Sequence, residues 1–308
     1  MIYVKGIEKF SWEGPTAITI GKFDGIHRGH ELLVSKIHAQ AIHEMAAVMV
    51  TFDHSPRVIL GKEAKDDRNL VTAAERSMLL SKQGLDFLVE LPFSDEIIHM
   101  EAEDFVAMLC ERLHMKYLVV GDDFHFGYQG RGDVALLAQL SKRMGFTLEV
   151  IEKLKDASRE ISSSYVREEI RRGEIHHANE LLGHPYFVWG EITHGNHIGT
   201  GMGLPTINIL PPSDKLLPPF GVYVTTVEVE GRVYHGITDV GTKPTVADGK
   251  DVVVETHILD FSSNIYGETA MIRFFEYVRP EMKFDSLDAL KRQIEQDKKR
   301  AVLFFKTQ

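Results

Sequence analysis

The chain has 308 residues, 44% of them hydrophobic and 26% charged, and this balance is typical of folded globular proteins rather than of disordered chains. The length suffices for two domains, each with its own core. A formal net charge of −10 argues against nucleic-acid binding, which usually needs a basic face, so we expect small-molecule partners. No apolar run approaches the roughly 20 residues that span a bilayer, and the N-terminus lacks the regions of a signal peptide, so we expect a cytoplasmic protein without membrane partners. The sequence leaves self-association open.

Strand-like and helical runs alternate from residue 17 to about residue 182. Such alternation predicts a mostly parallel sheet with helices on both faces. Thr72 and Glu75 have the spacing of a capping box at the start of the second helix. Ligands bind beyond the carboxyl ends of the strands in open sheets of this kind. The candidate site therefore comprises the residues after three strands, namely 21–30, 53–57 and 121–127.

The stretch 17–31 joins a buried strand, a glycine turn and the start of a helix. Its glycines allow the backbone to bend and to approach a ligand closely. The free N–H groups and the positive end of the following helix then point at one spot, which favours an anion. His27 and His30 lie at the same place in the sequence. We expect an anion-binding site here.

The pattern changes after residue 183. Before that point, the sequence predicts a helix that Ser162–Ser164 could cap and a short helix at 174–182. Short alternating runs separated by Gly, Pro and Asp turns then predict a small antiparallel barrel or sandwich, closed by a helix from 287 to about 303. We place the domain boundary between residues 184 and 185, which gives domains 1–184 and 185–308.

The order Gly-x-Phe-Asp-Gly-x-His-x-Gly-His at 21–30 resembles the nucleotidyltransferase superfamily, whose His-x-Gly-His motif holds ATP phosphates. Three further motifs, at 51–57, at 121–133 and at 161–167, follow in the order found in the adenylyltransferase half of bacterial bifunctional riboflavin kinase/FMN adenylyltransferases, also called FAD synthetases. Attack on the α-phosphate of ATP builds negative charge that donors at a helix start can stabilise. The resemblance thus fits the chemistry expected of the glycine turn.

That resemblance implies roles for individual residues of this half. His27 and His30 would be catalytic, and the glycine turn and the Ser/Arg motif would bind ATP and its phosphates. The ATP-binding set would be Gly21, Lys22, Phe23, Asp24, His27, His30, Ser163, Ser164 and Arg167. The flavin would lie near Asp123, Phe124 and His125. Taken alone, Ser162–Ser164 have a second interpretation as a simple helix cap.

Four positions depart from the usual pattern of this half. Lys22 stands where an Asn is usual, His125 and Tyr165 stand where an Arg is common, and the motif histidine is shifted to His54. A lysine does not reproduce the two-sided hydrogen bonding of an amide, and a neutral histidine supplies no fixed positive charge. By these departures, adenylyl transfer at this site would be weaker or altered.

The second half opens with a glycine-dense loop at 195–208 that ends in a Pro-Thr-x-Asn turn. It is not a Walker loop, because it lacks Gly-Lys-Ser/Thr. Its glycines could still let backbone N–H groups cradle phosphate, and Thr206 and Asn208 offer oxygen ligands for Mg²⁺. Alone, the loop could equally be a structural turn. The glycines concerned are Gly195, Gly199, Gly201 and Gly203.

Five later motifs, at 216–223, 241–245, 255–260, 265–267 and 279–287, are similar to those of riboflavin kinases. By that resemblance Glu255 would be the catalytic base, accepting the proton of the ribityl 5′-hydroxyl while Mg²⁺ and the glycine loop stabilise the transferring phosphate. Ile207, Asp239 and Lys243 are mild departures that remove neither the base nor a proposed metal ligand.

Together the motifs cover nearly the whole chain. They imply an α/β protein with an N-terminal Rossmann-like nucleotidyltransferase domain and a C-terminal small antiparallel β-barrel with a terminal helix. The implied reactions phosphorylate riboflavin to FMN with Mg-ATP and adenylylate FMN to FAD with release of pyrophosphate. Two alternatives stay open. One is a riboflavin kinase whose adenylyltransferase domain is weak or inactive, and the other is a non-catalytic flavin- or nucleotide-binding regulator, which would not need Glu255.

Overall fold

A computed structural model describes residues 1–53, 68–193, 206–244 and 250–307. The chain divides into two compact units, Met1–Ser163 and Ser164–Gln308, which are described separately below. This division assigns residues 164–182, which form two helices, to the second unit. The domain boundary expected between residues 184 and 185 stays a prediction.

The first unit is built on a parallel sheet with helices between its strands. Its strands are β1 (Ile2–Lys5), β2 (Thr16–Ile20), β3 (Ala46–Phe52), β4 (Phe87–Leu91), β5 (Met115–Gly121) and β6 (Thr147–Ile151), followed by a small hairpin of β7 (Lys155–Asp156) and β8 (Arg159–Glu160). Its helices are α1 (Arg28–Ala39), α2 (Ala73–Ser81), α3 (Asp95–Ile98), α4 (Ala102–Arg112) and α5 (Val134–Met144). The six main strands run in the order β1-β4-β3-β2-β5-β6, and every pair is parallel. The predicted parallel sheet is confirmed.

The central strands are buried on both faces because their sequences are almost continuously apolar. Ile18 packs into the apolar cluster on one face, and its neighbour Ala17 packs into the cluster on the other. The predicted capping box of α2 forms fully, with Glu75 N donating to Thr72 Oγ1 over 3.1 Å and Thr72 N donating to Glu75 Oε2 over 2.8 Å. Strand β1 was not predicted, because it is short and three of its four residues are exposed at the sheet edge, which gives no apolar run.

The strand order reverses at β2. After β2 the chain adds β3 and β4 on one side and then returns to form β5 on the other side. Such a reversal opens a crevice beyond the carboxyl ends of the two strands at the switch. The loops that start there, after β2 and after β5, are the predicted site segments 21–30 and 121–127.

In its described residues, the second unit is an antiparallel sheet with three helices. Its helices are α6 (Ser163–Arg172, which begins at the border of the units), α7 (Ile175–Leu182) and α8 (Leu287–Lys306). Its strands are β9 (Phe187–Glu191), β10 (Thr206–Ile209), β11 (Gly221–Val229), β12 (Arg232–Pro244), β13 (Lys250–Ile258) and β14 (Thr269–Arg279), in the order β10-β13-β12-β11-β14-β9.

The two edges of this sheet meet. Thr193, just beyond β9, forms an antiparallel bridge with Asn208 of β10. Gly190 permits the close approach, because a Cβ there would lie 2.8 Å from Ile209 Cγ2. The sheet therefore curls into the small barrel that the sequence predicts. One local prediction was wrong, since residues 206–208 of the expected turn belong to strand β10 (Thr206–Ile209), whose β-branched residues pair with β13.

Helix α8 closes the second unit as predicted. Ala301 on α8 packs with Val222 and Val224 of β11. Within the described part of the chain, no helix is long and apolar enough to cross a membrane.

Candidate active sites

The loop between β2 and α1 has an unusual backbone. Phe23 and Ile26 both have a φ of 48°, and Gly25 between them has a φ of 89°. Positive φ is a genuine outlier for a bulky or β-branched residue, and such strain persists only where the surroundings hold it. Here the holding comes from burial, because Phe23 and Ile26 are 1% and 0% exposed in the apolar cluster beneath the loop. The loop thereby delivers His27 to the position just before α1.

Hydrogen bonds fix the same loop from two sides. Asp24, which is 2% exposed, accepts from Leu70 N over 2.8 Å and from Val71 N over 3.2 Å through its Oδ1. Its backbone carbonyl accepts from the hydroxyl of Ser163 over 2.8 Å. Two residues expected at the ATP site, Asp24 and Ser163, are thus in direct contact within the first unit.

His27 and His30 stack on each other at this point. Their ring centroids are 3.7 Å apart with an angle of 18° between the planes, and Phe23 packs edge-on against His30. Burial, aided by the positive charge of Lys153, lowers the pKa of His27 to about 4, and burial also lowers the pKa of His30 well below its usual value. Both rings are therefore neutral at pH 7. The Nδ1 atoms of both are buried without a hydrogen-bond partner in the described residues, which fits groups that bind a ligand.

The segment after β5 carries the residues expected near the flavin. Asp123 Oδ2 lies 2.5 Å from Lys153 Nζ, and Phe124 stacks on Phe126 with ring centroids 5.6 Å apart. His125 is exposed, with its Nδ1 2.8 Å from the carbonyl of Asp123. Sequence reasoning missed Lys153, although its place just beyond the carboxyl end of β6 could have indicated it.

Lys153 is held by two carboxylates. Besides Asp123, Glu160 Oε2 lies 3.2 Å from its Nζ. Burial alone would lower the pKa of Lys153, but the hydrogen bonds to Asp123 and Glu160 raise it overall. Lys153 is therefore a fixed positive charge that acts on His27.

The Ser/Arg motif lies on α6. Ser163 belongs to the first compact unit, whereas Ser164 and Arg167 belong to the second. Ser163 and Arg167 are four residues apart and therefore share one face of the helix. Arg167 is buried, at 6% exposure.

A second constellation spans neighbouring strands of the barrel. The hydroxyl of Thr206 on β10 donates to Glu255 Oε1 on β13 over 2.6 Å. Asn208 lies directly opposite Glu255, and Asp239 on β12 lies opposite Glu255 on the other side. The hydroxyl of Tyr266 donates to the carbonyl of Thr206 over 3.2 Å. A hydroxyl, an amide and a carboxylate are thus brought together from segments about 50 residues apart.

Family models match both halves of the chain. The model described as FAD synthetase matches residues 10–165, and the model described as riboflavin kinase matches residues 182–305. A bifunctional riboflavin kinase/FMN adenylyltransferase from Listeria monocytogenes is 32% identical over 289 residues, which cover 94% of this chain and 92% of the relative. The chain belongs to the bifunctional riboflavin kinase/FMN adenylyltransferase family.

Other relatives agree along the full length. The bifunctional riboflavin kinase/FMN adenylyltransferase of Escherichia coli K12 is 33% identical over 313 residues, covering 99% of this chain and 98% of the relative. A crystal structure named as that of a macrolide-efflux protein from Streptococcus pneumoniae is 30% identical, with a TM-score of 0.86 over 97% of each chain. The fold predicted for this member of the family is confirmed.

Some residues that the family motifs single out fall outside the described residues. These are Gly195, Gly199, Gly201 and Gly203 of the kinase loop, the shifted His54, and the side chain of Lys243. For the riboflavin kinase half, the donors that are described fit Mg²⁺, because Thr206 and Asn208 offer the oxygen ligands that this hard cation prefers. Mg²⁺ usually takes few protein ligands beside substrate phosphates. Among the described residues, no group of three or more His, Cys, Asp or Glu side chains could hold a metal ion.

Proposed function

We propose that the second unit phosphorylates riboflavin to FMN with ATP, and that the first unit adenylylates FMN to FAD. Membership of a family with both activities supports this function along the whole chain. The observation that carries the kinase assignment is the hydrogen bond from Thr206 to Glu255, with Asn208 directly opposite. A regulator without catalysis would have no use for a carboxylate held in this way.

In the kinase reaction, Glu255 accepts the proton of the ribityl 5′-hydroxyl. The hydroxyl oxygen forms a bond to the γ-phosphorus of ATP while the bond from that phosphorus to ADP breaks. Thr206 and Asn208 would hold Mg²⁺, which when bound neutralises charge on the phosphates. Backbone groups of the loop with Gly195, Gly199, Gly201 and Gly203 are proposed to bind the phosphates.

In the adenylyl transfer, a phosphate oxygen of FMN bonds to the α-phosphorus of ATP and pyrophosphate leaves. The attacking oxygen already carries negative charge, so the site needs donors rather than a base. Neutral His27 and His30 at the start of α1 would supply ring N–H groups to the phosphates, with Lys22 as a nearby cation. Ser164 and Arg167 are proposed as further phosphate ligands.

The flavin is proposed to lie against the segment after β5, at Asp123, Phe124 and His125. Phe124 offers an aromatic face, and its stacking on Phe126 holds that face in place. The ion pair of Asp123 with Lys153 makes this rim polar. We include a cytoplasmic location in the proposal, because both reactions consume ATP.

The test is to incubate the protein with riboflavin, ATP and Mg²⁺ and to separate riboflavin, FMN and FAD by chromatography. We expect both FMN and FAD, and we expect EDTA in place of Mg²⁺ to stop FMN formation. FMN without FAD, even when FMN is supplied directly, would leave a kinase alone. No FMN at all would refute the kinase assignment. Light scattering after size-exclusion chromatography measures self-association.

A further inference from the structure

A buried ion pair lies behind the strained loop of the first unit. Arg76 on α2 and Glu90 on β4 are joined by Nη2 and Oε2 over 3.1 Å, and their side chains are only 12% and 7% exposed. The same guanidinium reaches the loop itself, because Arg76 Nη1 donates to the backbone carbonyl of Lys22 over 3.3 Å. The carboxylate of Glu90 thus orients the guanidinium of Arg76, and the other terminal nitrogen of Arg76 bonds the loop at Lys22.

Two hydroxyl groups complete this arrangement. The hydroxyl of Tyr3 on β1 donates to Glu90 Oε1 over 2.6 Å, and the hydroxyl of Thr51 on β3 lies 3.4 Å from the carbonyl of Lys22. Burial and the hydrogen bond to Glu90 raise the pKa of Tyr3 to about 12, so it remains a donor at neutral pH. A continuous series of polar contacts therefore runs from the edge strand β1 to the loop between β2 and α1.

The contact with Arg76 controls the orientation of the peptide group that joins Lys22 and Phe23. The carbonyl of Lys22 and the N–H of Phe23 belong to one planar peptide group, so a carbonyl held toward Arg76 points that N–H the opposite way. Phe23 has a φ of 48°, a conformation that persists only when its surroundings over-determine it. Loss of Arg76 would leave the Lys22 carbonyl only the longer contact to the Thr51 hydroxyl, over 3.4 Å, so this peptide group would rotate more easily.

A gain in stability does not account for this buried ion pair. Burying two charges costs desolvation, and replacing a buried ion pair with apolar residues of similar size is often neutral or stabilising. Besides the hydroxyl of Tyr3, the pair contacts the loop that precedes His27. Apolar replacements would lose the hydrogen bond that positions the Lys22 carbonyl.

We infer that Arg76 and Glu90 are positioning residues for adenylyl transfer: their ion pair fixes the Lys22–Phe23 peptide group so that the loop presents its N–H groups and His27 to the nucleotide. This inference rests on the adenylyltransferase function proposed above for the first unit. Neither residue was singled out by any motif of the sequence.

The decisive variant replaces both charges together, as Arg76→Met with Glu90→Leu. We expect kcat/KM for FMN adenylylation to fall by about 10- to 100-fold, the effect of a small misplacement of binding groups. FMN formation from riboflavin in the same molecule should stay unchanged, and so should the thermal unfolding temperature. The matched control is Arg143→Met with Glu103→Leu, which removes an ion pair of 2.5 Å whose side chains are 56% and 55% exposed. It should leave both reactions unchanged.

Hydrogen exchange of the backbone amides of residues 20–29, measured without substrate, provides a readout independent of catalysis. We expect faster exchange in this segment only. Exchange and adenylylation within threefold of the wild-type values would overturn the inference, as would a rise in exchange throughout the first unit. If the wild-type protein made no FAD from FMN, the proposed function would fail, yet the exchange comparison would still decide whether the pair holds the loop.

A single substitution serves if the double variant does not fold. Arg76→Lys keeps the charge beside Glu90 but loses the fork that bonds Glu90 and Lys22 together. Faster exchange at 20–29 with at least tenfold weaker adenylylation supports the positioning role. Wild-type behaviour of this variant in both measurements would contradict it.

Discussion

The hydroxyl of Thr206 donates a hydrogen bond to Glu255 Oε1 across the pairing of β10 with β13, over 2.6 Å. A hydroxyl that gives its proton to a carboxylate keeps its lone pairs for a cation. One residue can thus orient the proposed base and contribute to the proposed Mg²⁺ site. Separate substitutions at Glu255 and at Thr206 test the base and the metal ligand.

Glu255→Gln should abolish FMN formation, by about 10²- to 10⁴-fold, because the amide oxygen still accepts from Thr206 but cannot take up a proton. FAD made from added FMN should change little, since that reaction belongs to the other unit. Chromatography of the flavins after incubation with ATP measures both. Glu268→Gln, at an exposed turn, is the control. A parallel fall of both reactions would contradict the assignment of Glu255 to one unit.

Thr206→Val should weaken FMN formation by about 10- to 100-fold and raise the Mg²⁺ concentration needed for half-maximal rate, because the isosteric side chain lacks the ligand oxygen. Thr206→Ser restores a hydroxyl at the same place and should recover most of the rate. The measurement is the initial rate of FMN formation as a function of Mg²⁺ concentration. An unchanged Mg²⁺ requirement in Thr206→Val would exclude this residue from the metal site.

His30→Ala should reduce FAD formation from FMN by about 10²- to 10³-fold, the usual loss when one preorganised donor is removed from a charged transition state. FMN formation from riboflavin should persist. His43→Ala changes an exposed histidine shortly after α1 and should leave both reactions intact. Normal FAD synthesis by the His30 variant would refute the phosphate role.

Buried His27 makes the stability of the first unit depend on pH. The folded-state pKa of His27, about 4, lies below its usual value of 6.5, so the unfolded chain binds more protons between these values. The stabilisation is complete above pH 6.5 and is lost progressively as the pH falls toward 4. Thermal unfolding followed at several pH values should show this loss, and His27→Gln should reduce it.

Removing the nearby cation tests the same electrostatics. Lys153→Met should raise the pKa of His27, because the positive charge of Lys153 adds to the effect of burial. Titration of the His27 ring by NMR measures the shift. Lys155→Met, two residues further along the chain and exposed, should leave the titration unchanged. An equal shift in both variants would mean that Lys153 exerts no specific effect.

The attachment of α8 should depend on one buried carboxylate. Asp297, 2% exposed, accepts from Arg279 through Nε and Nη2, the latter over 2.7 Å, and from Gln293 over 2.9 Å. Asp297→Ala removes the carboxylate partner of the mostly buried Arg279 guanidinium. The substitution should therefore lower the free energy of unfolding of the second unit by about 3–5 kcal/mol. Urea denaturation measures the change. Glu295→Ala removes an exposed partner of Lys298 on the same helix and should cost far less.

The sequence by itself determined the features that depend on local pattern. Alternating apolar runs predicted the parallel sheet, Thr72 and Glu75 predicted a helix start, and the glycines with His27 predicted a site at the carboxyl end of β2. The motifs also identified the family, because residue types at fixed spacing carry chemistry that can be recognised without coordinates. Each of these signals lies within a short stretch of the chain.

Tertiary structure alone decided what depends on distant segments. Strand β10 forms because β13 offers it a partner, and only that pairing brings the hydroxyl of Thr206 to Glu255. The Arg76–Glu90 pair and the placement of Lys153 beside Asp123 likewise join elements whose separation along the chain follows no period. Local propensity is a property of neighbouring residues, whereas burial and ion pairing are set by whichever side chains the completed sheet brings into contact.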